Sequence, residues 1–254
     1  MVIVGAGRVG LALQRRSIEA SIDCALVRRD GGWEIFAQPV SVGPIVLAVR
    51  NDDLAAVVPR IPAHRRDDLV FVQNGMVRDW LGEHSLQGAT RGLLFFAVPS
   101  RGAPIEDGPP SVFTGPHAAT LAAWFGRMGL PARELDWARF TAVELEKLVW
   151  NSAFGLLCQR YKVDVGTVCD HHADELRALV DELRVLGRKT MSVDIPLDVL
   201  YDKLVAYSRT IPRYQGAVKE WPWRNGWFEL AAERHGYDAP VHRRLLDETG
   251  ARPA

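Results

Sequence analysis

One lysine and one asparagine, Lys147 and Asn151, stand four residues apart in the stretch FTAVELEKLVWNSAFGLL, residues 140–157. On a helix that spacing lines up Lys147, Asn151 and Gly155 on one face. Most of the positions around them, including Leu145, Leu148, Val149, Trp150, Phe154 and Leu157, are apolar. The helix is then covered on more than one side, and a polar line on it needs partners. Two readings follow for the lysine. Either its methylenes cross the apolar surface and carry the ammonium to water, or the ammonium is paired or put to use.

A second constellation opens the chain. Residues 1–4 form a short β-branched run, followed by Gly5-Ala6-Gly7-Arg8-Val9-Gly10 and then by Leu11, Ala12 and Leu13, a strand, glycine turn and helix in sequence. In a dinucleotide site Gly5 makes the tight turn, Gly7 lets the backbone approach a pyrophosphate, and Gly10 allows close packing of helix on strand. Free N–H groups at the helix N-terminus then face the anion. The alternative is a glycine-rich turn with no ligand. The next strand, residues 24–27, ends in Arg28-Arg29-Asp30, about twenty residues after the glycines, where a Rossmann-like fold meets the adenosine ribose. Paired arginines suit the 2'-phosphate of NADP through charge-assisted bonds, whereas an acidic residue suits NAD. Arg28 and Arg29 favour NADPH, Asp30 argues the other way, and two arginines at a strand end can also be solvated surface.

These residues need a scaffold. Strand patterns at 44–50 and 69–73 alternate with short helical ones at 52–58 and 76–81, which implies a parallel sheet. Ligands of such sheets lie beyond the carboxyl ends of the strands, so Arg50, Asn51, Asn74 and Gly75 fall on the cofactor side, although Asn74-Gly75 also reads as a turn dipeptide. Further strands are expected at 93–98, 111–114 and 132–135, with a helix at 117–128. Beyond residue 136 the pattern is helical, with segments at 174–189, 197–208, 223–235 and 241–248. The expected architecture is α/β: a Rossmann-like dinucleotide-binding domain, residues 1–136, followed by an all-helical domain, residues 137–254, whose polar residues face the nicotinamide.

Composition narrows the classes. Thirty-one basic and thirty-one acidic side chains cancel, so no global field points to nucleic acid or an anionic membrane. Three cysteines, Cys24, Cys158 and Cys169, are too few and too scattered for a disulfide framework or a metal site. No leader-like segment and no apolar run of about eighteen residues is present, and a soluble cytoplasmic protein is expected. Cys169-Asp170-His171-His172 cannot converge on one ion as neighbours on one chain; Asp170 reads as a helix cap instead, and no metal is expected. Trp221, Trp223, Trp227 and Phe228 form an aromatic cluster that is read as core, with a substrate wall as the alternative.

The chain resembles the ketopantoate reductase (2-dehydropantoate 2-reductase) family through GAGRVG at 5–10, QNG at 73–75, KLVWN at 147–151, Ser208, and Glu220 followed by Asn225-Gly226. The order and spacing of these pieces, with Ser208 twelve residues before Glu220, run over nearly the whole chain. The resemblance implies an NADPH-dependent oxidoreductase of pantothenate biosynthesis that reduces ketopantoate to pantoate. Lys147 would give the proton to the ketone oxygen, because an ammonium both stabilises and protonates the alkoxide that hydride transfer builds. Glu220 would bond cofactor or substrate hydroxyls and keep Lys147 charged. Asn151 and Ser208 would bind substrate, Asn74 would lie beside the nicotinamide and substrate, and Arg50 would sit near the cofactor phosphates.

Two family asparagines are replaced, by Gly155 one turn beyond Asn151 and by Val205. Because a pocket built for a polar group discriminates strongly, their loss suggests a substrate less polar or bulkier than ketopantoate. The alternatives are a paralogous reductase of another small ketone, 2-oxo acid or imine, and a non-catalytic NADP-binding protein. A small molecule is the expected partner, and a homodimer stays open.

Overall fold

The computed structural model describes residues 1–37 and 43–253. The chain divides into two compact units, Met1–Phe140 and Thr141–Ala254. The division falls within the first turn of a long helix.

The first unit is built on β1 (Val2–Val4), α1 (Arg8–Glu19), β2 (Ala25–Val27), β3 (Ile45–Leu47), α2 (Leu54–Val57), β4 (Leu69–Phe71), α3 (Arg78–Glu83), β5 (Thr90–Leu93), β6 (Ser111–Thr114), α4 (Ala118–Arg127) and β7 (Ala132–Glu134). The strands form one sheet of order β2-β1-β3-β4-β5-β6-β7. All neighbours run parallel except β5 and β6. β1, β3 and β4 are apolar at every position and buried throughout, as strands covered on both faces must be. The order β2-β1-β3 brings the carboxyl ends of the first three strands side by side, so Gly5, Arg28 and Arg50 follow adjacent strands.

One strand lies elsewhere than expected. The apolar run 93–98 is not β5; the strand is Thr90–Leu93, in register with β4 through Val70–Thr90 and Phe71–Arg91. Its interior carries residues that an apolar pattern passes over. Arg91 is buried, with its guanidinium 5.8 Å from the centre of the Phe140 ring. Gly92 lies under Phe113, where a Cβ would come within 2.6 Å of the ring. Residues 94–96 are only half-buried.

The second unit holds α5 (Trp137–Tyr161), most of which belongs to it, α6 (Val165–His171), α7 (Ala173–Met191), α8 (Leu197–Thr210), α9 (Asn225–His235) and α10 (Pro240–Thr249). The side chain of Asp136 caps α5 by accepting from the Arg139 N–H at 2.8 Å. The helix ends where Lys162 takes a left-handed φ of 56° and the Val163 N–H returns to the Cys158 carbonyl, a Schellman-type stop. α5 is buried at Leu145, Leu148, Val149, Ala153, Phe154, Leu156 and Leu157, the all-round burial its sequence requires.

α6 is a helix that the sequence pattern did not single out. Asp164 caps it, accepting from the Thr167 N–H. Asp170, expected as a cap, lies inside α6 and pairs with Arg209 at 2.9 Å. Between α8 and α9 the chain crosses as a strap, residues 212–219, that opens on a turn closed by the Tyr214 N–H on the Ile211 carbonyl. The strap accepts from the first amides of α6, Val165 N–H to the Tyr214 carbonyl and Gly166 N–H to the Pro212 carbonyl.

Burial also fixes the last helices. Glu182 of α7 accepts from the backbone N–H groups of Val241 and His242 at 2.9 and 2.8 Å, covering the first turn of α10. The buried His242 ring shares a hydrogen bond of 2.9 Å with Oδ1 of Asn225. Burial first, and then the charge of Arg252, push the imidazole down from 6.5 to about 4. Between those values the unfolded chain binds the proton and the folded one does not, so this contribution is complete above pH 6.5 and is lost as pH falls towards 4. Its full size is about 3 kcal/mol. Denaturant unfolding of wild type and His242→Gln at pH 7.5 and 4.5 should show the larger loss in wild type. Parallel losses in the two proteins would remove His242 as the cause.

Candidate active site

The glycine loop separates packing from ligand geometry. Gly5 has φ 115°, and a Cβ there would meet the Ala48 carbonyl oxygen at 2.5 Å. A Cβ on Gly10 would sit 1.9 Å from the Gly5 carbonyl oxygen. The fold itself therefore requires both glycines. Gly7, at the N-cap of α1, is exposed, and the nearest atom to its Cβ position is the Ala48 carbonyl oxygen at 4.0 Å. Nothing in the protein forbids a side chain there. No side chain caps the helix and no acidic residue stands in its first turn, so its first amides point outward as an anion site needs. The loop fits a dinucleotide pyrophosphate.

The other cofactor candidates surround it as surface groups. Arg8 donates to the Val98 and Pro99 carbonyls at 3.4 and 3.3 Å. Arg28 and Arg29 are exposed; Arg29 comes 4.0 Å from Asp53, and the turn that carries them closes between Arg28 and Gly31. The Trp33 indole N–H donates to the Arg28 carbonyl at 2.7 Å. Arg50, also exposed, lies 3.5 Å from Asp52. In QNG, Gln73 is structural, donating to the Leu47 and Val49 carbonyls and tying the end of β4 to that of β3. The Asn74 backbone carbonyl accepts from Asn51, and its own carboxamide makes no hydrogen bond among the described residues.

In the second unit α5 presents Lys147 and Asn151 as the spacing predicts. The Asn151 carboxamide donates to the Lys147 carbonyl at 2.8 Å, leaving its oxygen as an acceptor. Loss of hydration on burial, reinforced by Arg224 and opposed by Glu220, lowers the Lys147 ammonium to about 7. Glu220 reaches this place through the strap. The strap backbone touches α5 where Gly155 has no Cβ: a Cβ there would lie 2.8 Å from the Ala217 carbonyl oxygen. After it, Glu220 takes a left-handed φ of 50°, an uncommon conformation for a side-chain-bearing residue. A single turn, Trp221–Trp223, follows and leads into α9.

Gly155 therefore does not enlarge a pocket. The volume that an asparagine would occupy is filled by the strap, which removes Gly155 as an argument for a bulkier substrate. Ser208 is fully buried; its hydroxyl donates to the Leu204 carbonyl and accepts from the Trp150 indole, both at 2.9 Å. Its one proton is spent, and its evident task is to hold Trp150. Asn225 links α9 to Ser152 of α5 and to His242. In Trp-Pro-Trp-Arg-Asn-Gly the tryptophans at 221 and 223 are half-buried, while Trp227 and Phe228 are core.

The residue that sequence reasoning missed is Arg224. It is buried, and its guanidinium lies 2.6 Å from Oε2 of Glu220. The only available signal was an arginine between an aromatic turn and a helix that buries its first residues. Among the described residues no group of three or more His, Cys, Asp or Glu side chains is arranged to hold a metal, and no helix is long and apolar enough to cross a membrane.

No family model matches the chain, and no curated protein matches it. Solved structures do. A 2-dehydropantoate 2-reductase from Methylococcus capsulatus is 18% identical, with a TM-score of 0.75 over 100% of this chain and 98% of that one. A PanE/ApbA family ketopantoate reductase from Ralstonia eutropha JMP134 is 18% identical, with a TM-score of 0.73 over 99% of each chain. D-mandelate dehydrogenase, solved with NADH and anilino(oxo)acetate, is 14% identical, with a TM-score of 0.74 over 99% and 98%.

The contrast between the glycines is testable. Gly7→Val should fold and unfold as wild type does but lose about tenfold or more in dinucleotide affinity, whereas Gly10→Val should lose stability itself. Calorimetric titration and thermal denaturation of both variants separate the two effects, and undiminished binding by Gly7→Val would refute the pyrophosphate assignment. By its fold, the chain is similar to ketopantoate reductases and D-mandelate dehydrogenase.

Proposed function

We propose that the protein is an NADPH-dependent reductase of a 2-oxo acid, with 2-dehydropantoate the first substrate to test. The observation that carries this reading is the half-buried Lys147, poised near neutrality beside Glu220 in a chain whose first helix begins with an anion-binding glycine loop. The similarity of fold to reductases of 2-oxo acids supports it. A reduced nicotinamide dinucleotide supplies hydride when bound. Lys147 holds the ketone oxygen and gives it a proton, Asn151 accepts from a substrate hydroxyl or orients the lysine, and Glu220 holds Lys147 as an ammonium. Gly5 to Gly10 carry the pyrophosphate, Arg50 lies towards the cofactor phosphates and Asn74 towards the nicotinamide. Arg28 and Arg29 receive the 2'-phosphate that distinguishes NADPH from NADH.

Lys147→Ala should lower kcat by roughly a hundred- to ten-thousand-fold. Because Lys147 is lowered to about 7, the wild-type reduction rate should fall as pH rises through that region, where the acid loses its proton. A pH–rate profile for wild type that is flat from pH 6 to 9 would exclude Lys147 as the proton donor.

The cofactor assignment has its own test. The double variant Arg28→Ala, Arg29→Ala should weaken NADPH by roughly tenfold or more and leave NADH unchanged. Equal losses for both cofactors, measured by KM, would refute the 2'-phosphate contact.

A further inference from the structure

The turn that carries Arg28 and Arg29 is weakly closed by its own backbone. The Arg28 N–H reaches the Gly31 carbonyl at 2.8 Å, but the return bond, from the Gly31 N–H to the Arg28 carbonyl, is 3.5 Å long, at the limit of a hydrogen bond. That carbonyl has a better donor. The Trp33 indole N–H comes to it at 2.7 Å, brought there by Gly32, whose φ of 88° folds the chain back against β2 so closely that a Cβ would meet the Leu26 carbonyl oxygen at 3.0 Å. The indole is itself held. Arg60 lays its guanidinium 3.6 Å from the ring centre, a cation–π contact, and the buried Phe36 stands 6.0 Å away with its ring tilted. Arg60 is exposed, yet its backbone is fixed: it ends the short turn Val58–Arg60, where Val58 and Ile61 are buried and the Ile61 N–H donates to the Val58 carbonyl. A line of contacts therefore runs from the core of the first unit through Arg60 and Trp33 to the carbonyl of Arg28.

Resting on the cofactor reading above, we propose that Trp33, held by Arg60, is the positioning residue that presents Arg28 and Arg29 to the 2'-phosphate and so strengthens the preference for NADPH over NADH. Both arginines are exposed, so a phosphate can approach them freely. What limits such a contact is the cost of ordering two long side chains and the turn beneath them. A turn already tied down at the Arg28 carbonyl removes the backbone share of that cost. The gain falls on the phosphate-bearing dinucleotide, because NADH has only a hydroxyl at the 2' position. Trp33 touches no cofactor atom in this arrangement; it acts through the two arginines.

The test measures Kd for NADPH and for NADH by calorimetric titration on wild type, Trp33→Phe, Arg60→Gln, the double variant Arg28→Ala, Arg29→Ala, and that double variant with Trp33→Phe added. Phenylalanine keeps a ring beside Arg60 and Phe36 but has no N–H. Trp33→Phe should cut the preference for NADPH by roughly three- to tenfold while NADH affinity stays as in wild type. Arg60→Gln should act in the same direction and by less; as a surface substitution it decides the matter if the phenylalanine variant does not fold. Added to the double variant, Trp33→Phe should change the ratio no further, as expected of a residue that acts through those arginines. A preference that depends on Arg28 and Arg29 but survives Trp33→Phe overturns the positioning role and leaves the cofactor reading standing. So does a Trp33→Phe effect on the ratio that persists without the two arginines. A wild type that does not bind NADPH more tightly than NADH refutes the cofactor reading, and the positioning role falls with it.

Discussion

Holding the half-buried ammonium of Lys147 and the buried guanidinium of Arg224 near the Glu220 carboxylate is the constraint to which the second unit is built. Each charge alone would be strongly disfavoured there. The carboxylate must therefore arrive at a fixed point, and four features bring it: the strap 212–219 crossing α5, the glycines that let backbone meet helix, the left-handed Glu220, and the turn Trp221–Trp223. An asparagine at position 155 would displace the strap and with it Glu220. Thus Gly155, four positions from Asn151, bears on the position of Glu220 through the close approach of backbone to helix.

The first unit answers a different requirement with similar means. Its strands β1, β3 and β4 are short, apolar and buried on both sides, and the loop after β1 must pass close to Ala48 beyond β3. Gly5 and Gly10 meet that demand. The loop then leaves the first turn of α1 with its amides outward, and strand order alone sets Arg28 and Arg50 at the ends of the neighbouring strands.

Much of this was legible in the sequence because it is local. A β-branched run, a glycine turn and a helix lie in the first nineteen residues, and the face shared by Lys147 and Asn151 follows from helical spacing. The parallel strands β1, β3 and β4 were visible as uninterrupted apolar runs. What escaped was decided by contacts distant in sequence. β5 lies on Thr90, Arg91 and Gly92, which become interior because Phe113 and Phe140 cover them. Ser208 was expected to bind substrate on the resemblance alone; packing shows its hydroxyl bonded to Trp150 and to the Leu204 carbonyl. Arg224 carries no pattern at all, since a single arginine before a helix is ordinary surface chemistry until its burial is known.

The residues fall into two groups when the fold is asked to account for each. Gly5, Gly10, Gly155, Ser208, Asn225 and His242 are explained from within: a carbonyl too close for a Cβ, a hydroxyl fully bonded, a buried imidazole held by an amide. Gly7, the Nε edge of Arg224, Oε2 of Glu220 and the lowered ammonium of Lys147 are not. Selection for stability alone would place a side chain at Gly7, pair the guanidinium fully, and leave no lysine near neutrality in an apolar helix. Strain and unmet polar groups concentrate where a protein does work. The unexplained position in the first unit lies at a helix N-terminus, where an anion is favoured, those in the second gather a titratable ammonium with a guanidinium and a carboxylate, and the proposed reductase reading rests on both.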